Sequence, residues 1–571
     1  MTLVGSEVIY LDAQTTGASP AHGHLMELAW ARGAASVEGG CTAAVEASLL
    51  SLPEGAAVPP RVSKLTGITD ADLEGAPGPV EAYERFLSAL EGMDPPLVVI
   101  HYARFEMAFL RDLEALRPSG ASMEVVCTHE IARRLLPDLP RRGIRALAGH
   151  LGHPVGSLKR AGDNVVATAL IWARLCEMLA RRGVQTLAQL RVWLTETRPA
   201  KKKPGPYTFA LSRQRRLSLP ASPGVYRMLD RHKQVLYVGK ATSLKGRVNS
   251  YFQKRRGHTG KTLELLTCVH DLDFTKTDTA LEAALLESDE IKRHDPPFNI
   301  ALKAGRGPLS FAEPDLQHVG PASRRAGLLG PVPAPEPLLS MAALLRLLRE
   351  GEEVGDFEVA LRVGRDTCLE EVPLRQGLEL FVRAHGINPG SSHLLRDLWR
   401  LGARRIWASR SAASAKQDQA EEPEASREPK AQDETEEEAA WTAERVQAAC
   451  ESAVVRASRM VNRGRWLCRL SESRLVWTPG RRGSRRVLTV SRGAVVEASS
   501  VAVWAPQDSA QFVSRPVGSR WKCFDPIVYD RLRVLSTELK RLVVEDSGVL
   551  LYTGYGPPMD AAAVSRQLIW I

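Results

Sequence analysis

Between residues 223 and 299 the chain reads PGVYRMLDRHKQVLYVGKATSLKGRVNSYF and, further on, EAALLESDEIKRHDPPFN. Two apolar runs each carry a tyrosine, Tyr226 and Tyr237. Arg247 and Tyr251 follow at i and i+4, which places both on one helix face. Glu287 lies on a later helical stretch. Hydrolysing a phosphodiester needs a base for water, a cation against the phosphate charge and proton help for the leaving oxygen. A tyrosine, a lone carboxylate and an Arg/Lys cluster can supply these functions if they meet in one basic concavity. Taken singly, the tyrosines read as ordinary strand aromatics and Glu287 as a solvated helix residue, so the grouping carries the argument.

The elements that must position them follow from the pattern. GVYRML and QVLYVG are strands flanking a polar turn. The helix SLKGRVNSYF, the strand LDFTKT and the helix 280–294 complete a unit from about 215 to 303. Upstream, residues 1–183 alternate strands (7–17, 25–33, 97–100) with helices (79–90, 105–116, 164–182), a mixed α/β pattern.

The set Gly224-Val225-Tyr226, Tyr237-Val238-Gly239, Lys240, Arg247, Tyr251, Glu287 and Asn299 resembles the GIY-YIG endonuclease superfamily, and closely its UvrC/Cho type, over about 80 residues. The resemblance implies one divalent metal, Mg²⁺ or Mn²⁺, on Glu287. It implies Tyr237 as the base for the attacking water and Tyr226 as the group that positions it. Arg247 would stabilise charge on the phosphorus centre, Lys240 and Tyr251 would hold phosphate, and Asn299 would brace the site. A tyrosine of ordinary pKa near 10 is a poor base at neutral pH. Lys240 and Arg247 are the neighbouring cations expected to depress it.

A second constellation spans Asp12-Ala13-Gln14-Thr15-Thr16-Gly17, VVIHYARFEMAFL (98–110) and LKRAGDNVVATA (158–169). It resembles the DEDDh 3′–5′ exonuclease family, typified by the epsilon subunit of bacterial DNA polymerase III, in motif order and spacing. The chemistry departs from that family. Of its four carboxylates and one histidine, the chain keeps Asp12, has Gln14 for a glutamate and Glu106 for an aspartate, and has Asn164 for the last aspartate and Lys159 for the histidine. Asp163 sits one residue early, about 100° around a helix from the needed position. Two acids cannot balance two divalent ions, and magnesium demands near-ideal octahedral geometry. The expectation is an exonuclease fold without exonuclease chemistry, with the Lys159 ammonium filling the vacated cation space between Asp12 and Glu106.

Composition bounds the rest. A chain of 571 residues suggests about four structural units. Its apolar share of 44% and charged share of 25% are ordinary for globular protein, and no apolar run is long enough to span a membrane. The N-terminus lacks a secretory pattern. Eight cysteines without a CxxC pair fit reduced thiols in a cytoplasm. The net charge of +10 is unevenly spread: residues 198–256 carry 16 Lys/Arg against Asp230 alone, while 416–444 carry 11 acids against 3 bases. The basic block is the footprint of a phosphate-backbone binder, with Lys201, Lys202, Lys203, Lys245, Lys254, Arg255 and Arg256 as DNA contacts. Arg481, Arg482, Arg485 and Arg486 form a candidate second clamp.

The predicted fold class is a multidomain α/β chain: an N-terminal ribonuclease H-like exonuclease fold, a small central α/β GIY-YIG nuclease and a C-terminal α+β region of unknown fold. The segments are 1–190, a basic linker 191–214, 215–303, a Gly/Pro-rich connector 304–335, a helical region 336–410, a disordered acidic linker 411–440 and 441–571. The expected function is a cytoplasmic metal-dependent DNA endonuclease nicking DNA in excision repair, with other excision-repair proteins as candidate partners. The alternatives are a 3′–5′ DNA exonuclease of the epsilon type and a non-catalytic DNA-binding scaffold.

Overall fold

The computed structural model describes residues 1–35, 44–116, 123–156, 158–196, 207–253, 258–300, 302–303, 308–321, 329–350, 359–361, 371–417, 441–479, 484–501, 524–553 and 557–568, with backbone alone at 371–372, 410–417 and 501. Contacts group the chain into two compact units: Met1–Ala283 with Arg293–Ala301, and Ala284–Lys292 with Leu302–Ile571.

The first unit opens with a five-stranded sheet in the order β3-β2-β1-β4-β5. Its strands are β1 (Glu7–Thr15), β2 (Leu25–Ala34), β3 (Glu46–Leu49), β4 (Leu97–Ile100) and β5 (Glu124–Cys127). β1 pairs antiparallel with β2 and parallel with β4. Strand alternation explains why β1 is apolar on both faces. Val8 and Tyr10, with Leu97 and Val99, pack towards the helix α3 (Ala161–Ala180). Ile9 and Leu11, with Val98 and Ile100, pack towards α1 (Pro79–Ala89) and α2 (Ala103–Leu116). Asp12 shares the parity of Val8 and Tyr10, and so emerges on the α3 side at the strand's C-terminal end, where parallel-strand folds place ligands.

The same unit holds a second sheet, β7-β6-β8, from β6 (Gly224–Leu229), β7 (Val235–Ala241) and β8 (Asp271–Lys276), with α4 (Leu244–Gln253) after β7. The turn joining β6 to β7 is closed by Asp230, whose Oδ1 accepts from the amides of His232 and Gln234, each at 2.8 Å. The two sheets' segments pack against each other: the Arg145 guanidinium stands 4.5 Å from the Phe298 ring centre and 3.6 Å from Glu264, and the His232 ring bonds the Gly152 carbonyl at 2.6 Å. Helices at Leu187–Thr195 and Arg213–Leu217 run into the predicted linker from both ends. α5 (Ala280–His294) starts in this unit, but its stretch Ala284–Lys292 belongs to the second.

The second unit corrects several expectations. The region read as a Gly/Pro connector carries three strands, β9 (Ser310–Ala312), β10 (Val319–Gly320) and β11 (Leu329–Val332). Burial of β9 and β11 overrides the local turn composition. α6 (Glu336–Glu350) and α7 (Glu371–His385) fall within the region expected to be helical, whereas α8 (Leu394–Gln417) runs seven residues into the predicted acidic linker. Residues 418–440 lie outside the described residues. α9 (Ala443–Leu470) went unread in the sequence because alanine, serine and arginine dilute its stripe, yet Val446, Cys450, Val454, Ala457 and Val461 keep helical spacing and join the core of Leu344, Phe381 and Leu398. The last sheet runs β14-β13-β12-β15-β16, from β12 (Ser473–Trp477), β13 (Arg485–Ser491), β14 (Ala494–Val501), β15 (Leu550–Tyr552) and β16 (Met559–Asp560). RRVLTVSRGAVVEAS forms a hairpin of β13 and β14. α10 (Pro526–Glu545) is capped by Asp525, whose side chain accepts from the Val528 amide at 2.7 Å. Trp466 and Trp477 are buried, as core residues rather than stacking platforms.

Candidate active site

Tyr226 is fully buried and stands opposite Gly239 in the β6–β7 ladder, with Tyr237 two residues away on the same face. The Tyr226 and Tyr237 ring centres lie 6.2 Å apart. On α4, Leu244 and Val248 are buried, which fixes the helix rotation and carries Arg247 and Tyr251 along the neighbouring face. The Tyr226 and Tyr251 hydroxyls are 3.1 Å apart, and Arg247 Nη2 donates to the Tyr251 hydroxyl at 3.3 Å. Burial pushes the Tyr226 hydroxyl well above its ordinary pKa, more strongly than Arg247 lowers it. Tyr226 therefore keeps its hydroxyl proton and is available to donate a hydrogen bond.

Asn299 grips the backbone of Val238, beside Tyr237: its Oδ1 accepts from the Val238 amide and its Nδ2 donates to the Val238 carbonyl, each at 3.0 Å. Lys240 is paired with Val225, one residue out of phase with Gly239, so the pleat starts its side chain on the sheet face opposite Tyr237. Glu287 sits half-buried on α5, within the stretch that belongs to the second unit. The structure thus brings together Tyr226, Tyr237, Arg247 and Tyr251, with Asn299 behind the second strand.

Lys245 is exposed on α4, while Lys201, Lys202, Lys203, Lys254, Arg255 and Arg256 lie outside the described residues. Part of the basic block is internally neutralised. Arg215 pairs with Asp271 at 3.1 Å and Arg227 with Asp273 at 3.1 Å, and Lys233 also reaches Asp271. In the candidate second clamp, Arg486 is buried and donates to the Ser500 hydroxyl at 2.9 Å, because its position in β13 turns it inward. Arg485 is half-buried, and Arg481 and Arg482 lie outside the described residues.

At the exonuclease-like site, Asp12 and Glu106 are both buried. Asp12 Oδ2 accepts from Asn164 Nδ2 at 3.1 Å and from Gln14 Nε2 at 3.3 Å. Burial pushes the Asp12 carboxyl up to about 7, and burial with repulsion from Asp12 pushes Glu106 up to about 9. The expected Lys159 bridge is overturned. Lys159 is exposed, and no ion pair among the described residues joins it to Asp12 or Glu106. The next residue turns inward instead: Arg160 pairs with buried Glu27 at 2.8 Å, and Glu27 also accepts from the Ala161 amide at 2.9 Å, which pins the start of α3. Glu27 escaped the sequence reading, although an acid inside the apolar run LMELAWA was its signal. Asp163 accepts from the Arg160 amide and faces the helix start, while Asn164 takes the inward position. Asp12 is thus met by the neutral side-chain amides of Gln14 and Asn164 at two positions where the resembled family has acids.

Residues 222–300 match the family model of the UvrC-like GIY-YIG domain and residues 9–156 that of an exonuclease. The chain therefore carries a GIY-YIG domain of the UvrC kind behind an exonuclease-type domain, on a mixed α/β architecture. UvrABC system protein C of Oenococcus oeni is 50% identical over 93 residues, covering 16% of this chain and 15% of that protein. A Mycobacterium tuberculosis protein carrying the name bifunctional exonuclease/endonuclease is 30% identical over 275 residues, covering 47% of this chain and 40% of that protein. The GIY-YIG N-terminal endonuclease domain of UvrC from Thermotoga maritima, bound to magnesium, is 30% identical and covers 15% of this chain and 94% of that one, with a TM-score of 0.14. The chain thus spans well under half the length of the curated relatives it matches. Among the described residues, no helix is long and apolar enough to cross a membrane.

Proposed function

We propose that this chain is a metal-dependent DNA endonuclease of the UvrC/Cho kind, cytoplasmic, nicking one strand in nucleotide-excision repair, with an exonuclease-type domain that no longer hydrolyses DNA. The observation that carries this reading is the hydrogen-bonded Tyr226–Tyr251–Arg247 cluster on the face that also bears Tyr237. Glu287 is a hard oxygen donor, and magnesium is commonly held by one or two carboxylates with water and substrate phosphate completing its shell. The donor chemistry fits Mg²⁺ or Mn²⁺, which when bound would supply positive charge against the reacting phosphate. Tyr237 takes the proton of the attacking water, Tyr226 orients that water through its retained hydroxyl proton, and Arg247 faces the developing negative charge. Tyr251 holds a phosphate oxygen, Lys240 adds positive charge from the other face of the sheet, and Asn299 keeps the Tyr237 strand in place.

The test is an end-labelled duplex carrying one bulky adduct, incubated with Mg²⁺ or Mn²⁺. One internal nick, lost in Glu287→Ala and kept in Asp12→Ala, is the expected result. A ladder from the 3′ end that depends on Asp12 would establish the exonuclease instead. Binding without products would leave a DNA-binding scaffold. The neutral amides of Gln14 and Asn164 beside Asp12, which bring no charge to balance a second ion, oppose the exonuclease alternative.

A further inference from the structure

The stretch of α5 that carries Glu287 is fastened within the second unit by two ion pairs. Lys292 Nζ lies 3.3 Å from Asp530 Oδ2, and the two side chains are only 6% and 2% exposed. The same ammonium donates to the Ile527 carbonyl at 3.4 Å. One residue along α10, Arg531 meets Asp289 through Nε at 3.0 Å and Nη2 at 2.9 Å, and its Nη1 donates to the Gly493 carbonyl at 3.1 Å in the β13–β14 turn. A buried charge pair contributes little net stability against apolar replacements, but removing one partner strands the other. Such a pair fixes register more than it adds stability.

Helix geometry gives that register a direction. Asp289 and Lys292 are two and five residues beyond Glu287, so at about 100° per residue they lie roughly 200° and 140° around the helix from it. Both fastenings grip the side of α5 opposite Glu287. They fix the helix rotation, and hence the direction in which the carboxylate leaves the helix. The helix is continuous from Ala280, in the first unit, through Glu287 to His294.

We propose that the C-terminal unit sets the aim of the metal-binding glutamate, with Asp530 and Arg531 as positioning residues for the ion on Glu287. This rests on the metal role given to Glu287 above. It assigns residues outside the GIY-YIG segment a part in its chemistry, and predicts that metal affinity depends on a helix more than 200 residues downstream.

The measurement is binding of Mn²⁺ alone, followed by the electron paramagnetic resonance signal of free ion, on full-length wild type, Glu287→Gln, Asp530→Asn and Arg531→Ala, with a thermal melt of each. The expected result is an Mn²⁺ site removed by Glu287→Gln and weakened roughly 10–100-fold by Asp530→Asn and Arg531→Ala, as for other residues that orient a metal ligand. Arg531→Lys should recover part of the loss, and excess Mn²⁺ should restore nicking without a change in KM for DNA. A lowered melting temperature with Mn²⁺ affinity within about twofold of wild type would overturn the proposal by leaving the pairs a purely structural role. If Asp530→Asn fails to fold, Arg531→Ala decides alone, since it leaves only a partly exposed carboxylate behind. Mn²⁺ binding indifferent to Glu287→Gln would show that the metal reading itself is wrong, and this inference would fall with it.

Discussion

A Cβ built on Gly239 would lie 2.4 Å from the Tyr226 hydroxyl and 2.9 Å from the Tyr237 ring. The glycine is therefore required by the two aromatics that share its face, and its place beside a tyrosine-bearing strand is a steric fact. Gly239→Ala should destabilise the first unit by about 1–3 kcal/mol through overpacking, measurable by urea denaturation, and should suppress nicking further by displacing Tyr226. The exonuclease-like site offers a second residue-level test. Asp12 and Glu106 have folded pKa values raised to about 7 and about 9, so the folded state holds protons that the unfolded chain releases near pH 4. Their contribution is fully present below that pH and is lost as pH rises through the folded values. The melting temperature should fall between about pH 4 and pH 9, and Glu106→Gln should flatten the fall and stabilise the protein at pH 8 by on the order of 2 kcal/mol. A steeper decline in Glu106→Gln would contradict this account. The substitutions themselves, Gln14 and Asn164 for acids, were legible in the sequence. The replacement of a Lys159 bridge by the Arg160–Glu27 pair was not, because adjacent residues leave a helix start in different directions.

Among the elements, the β13–β14 hairpin shows why some boundaries are hidden. The usual signal of a two-residue turn is Asn-Gly or Asp-Gly. Here Arg492 and Gly493 make the turn, at φ 52° and 74°, between Ser491 and Ala494. An arginine in an otherwise β-branched run looks like an outward strand residue, so the turn carries no local signal. The positive φ at Gly493 disfavours any side chain there, and a Cβ at that position would come within 2.3 Å of Val528. Gly493→Ala should cost about 1–3 kcal/mol, seen as a lower thermal midpoint. It should also disturb Arg531, which bonds the Gly493 carbonyl. By contrast α5, β6 and β7 were read nearly to the residue, because strong apolar periodicity and turn chemistry agree there.

At the scale of the molecule, the charge distribution governs encounter with DNA. The basic block carries most of the positive excess, but Asp271 and Asp273 of β8 neutralise part of it. Binding to an undamaged duplex should therefore still weaken steeply with salt through counterion release, and Lys245→Ala should lower the slope of log affinity against log salt by about 1. Fluorescence anisotropy at several salt concentrations measures both, and a slope unchanged in Lys245→Ala would remove that residue from the DNA face. What residue order alone determined was the chemistry available: two tyrosines, an arginine, a glutamate and an asparagine at diagnostic spacings, and an exonuclease motif with neutral residues at two of its four acid positions. Such features depend on side-chain identity and on separations within one or two elements, which local periodicity preserves. What only the folded chain decided was partnership at long range: the grouping of exonuclease and GIY-YIG segments in one unit, the inward turn of Arg160, and the fastening of the Glu287 helix by α10. Those outcomes depend on which buried charge finds a counter-charge hundreds of residues away, and no local pattern encodes that choice.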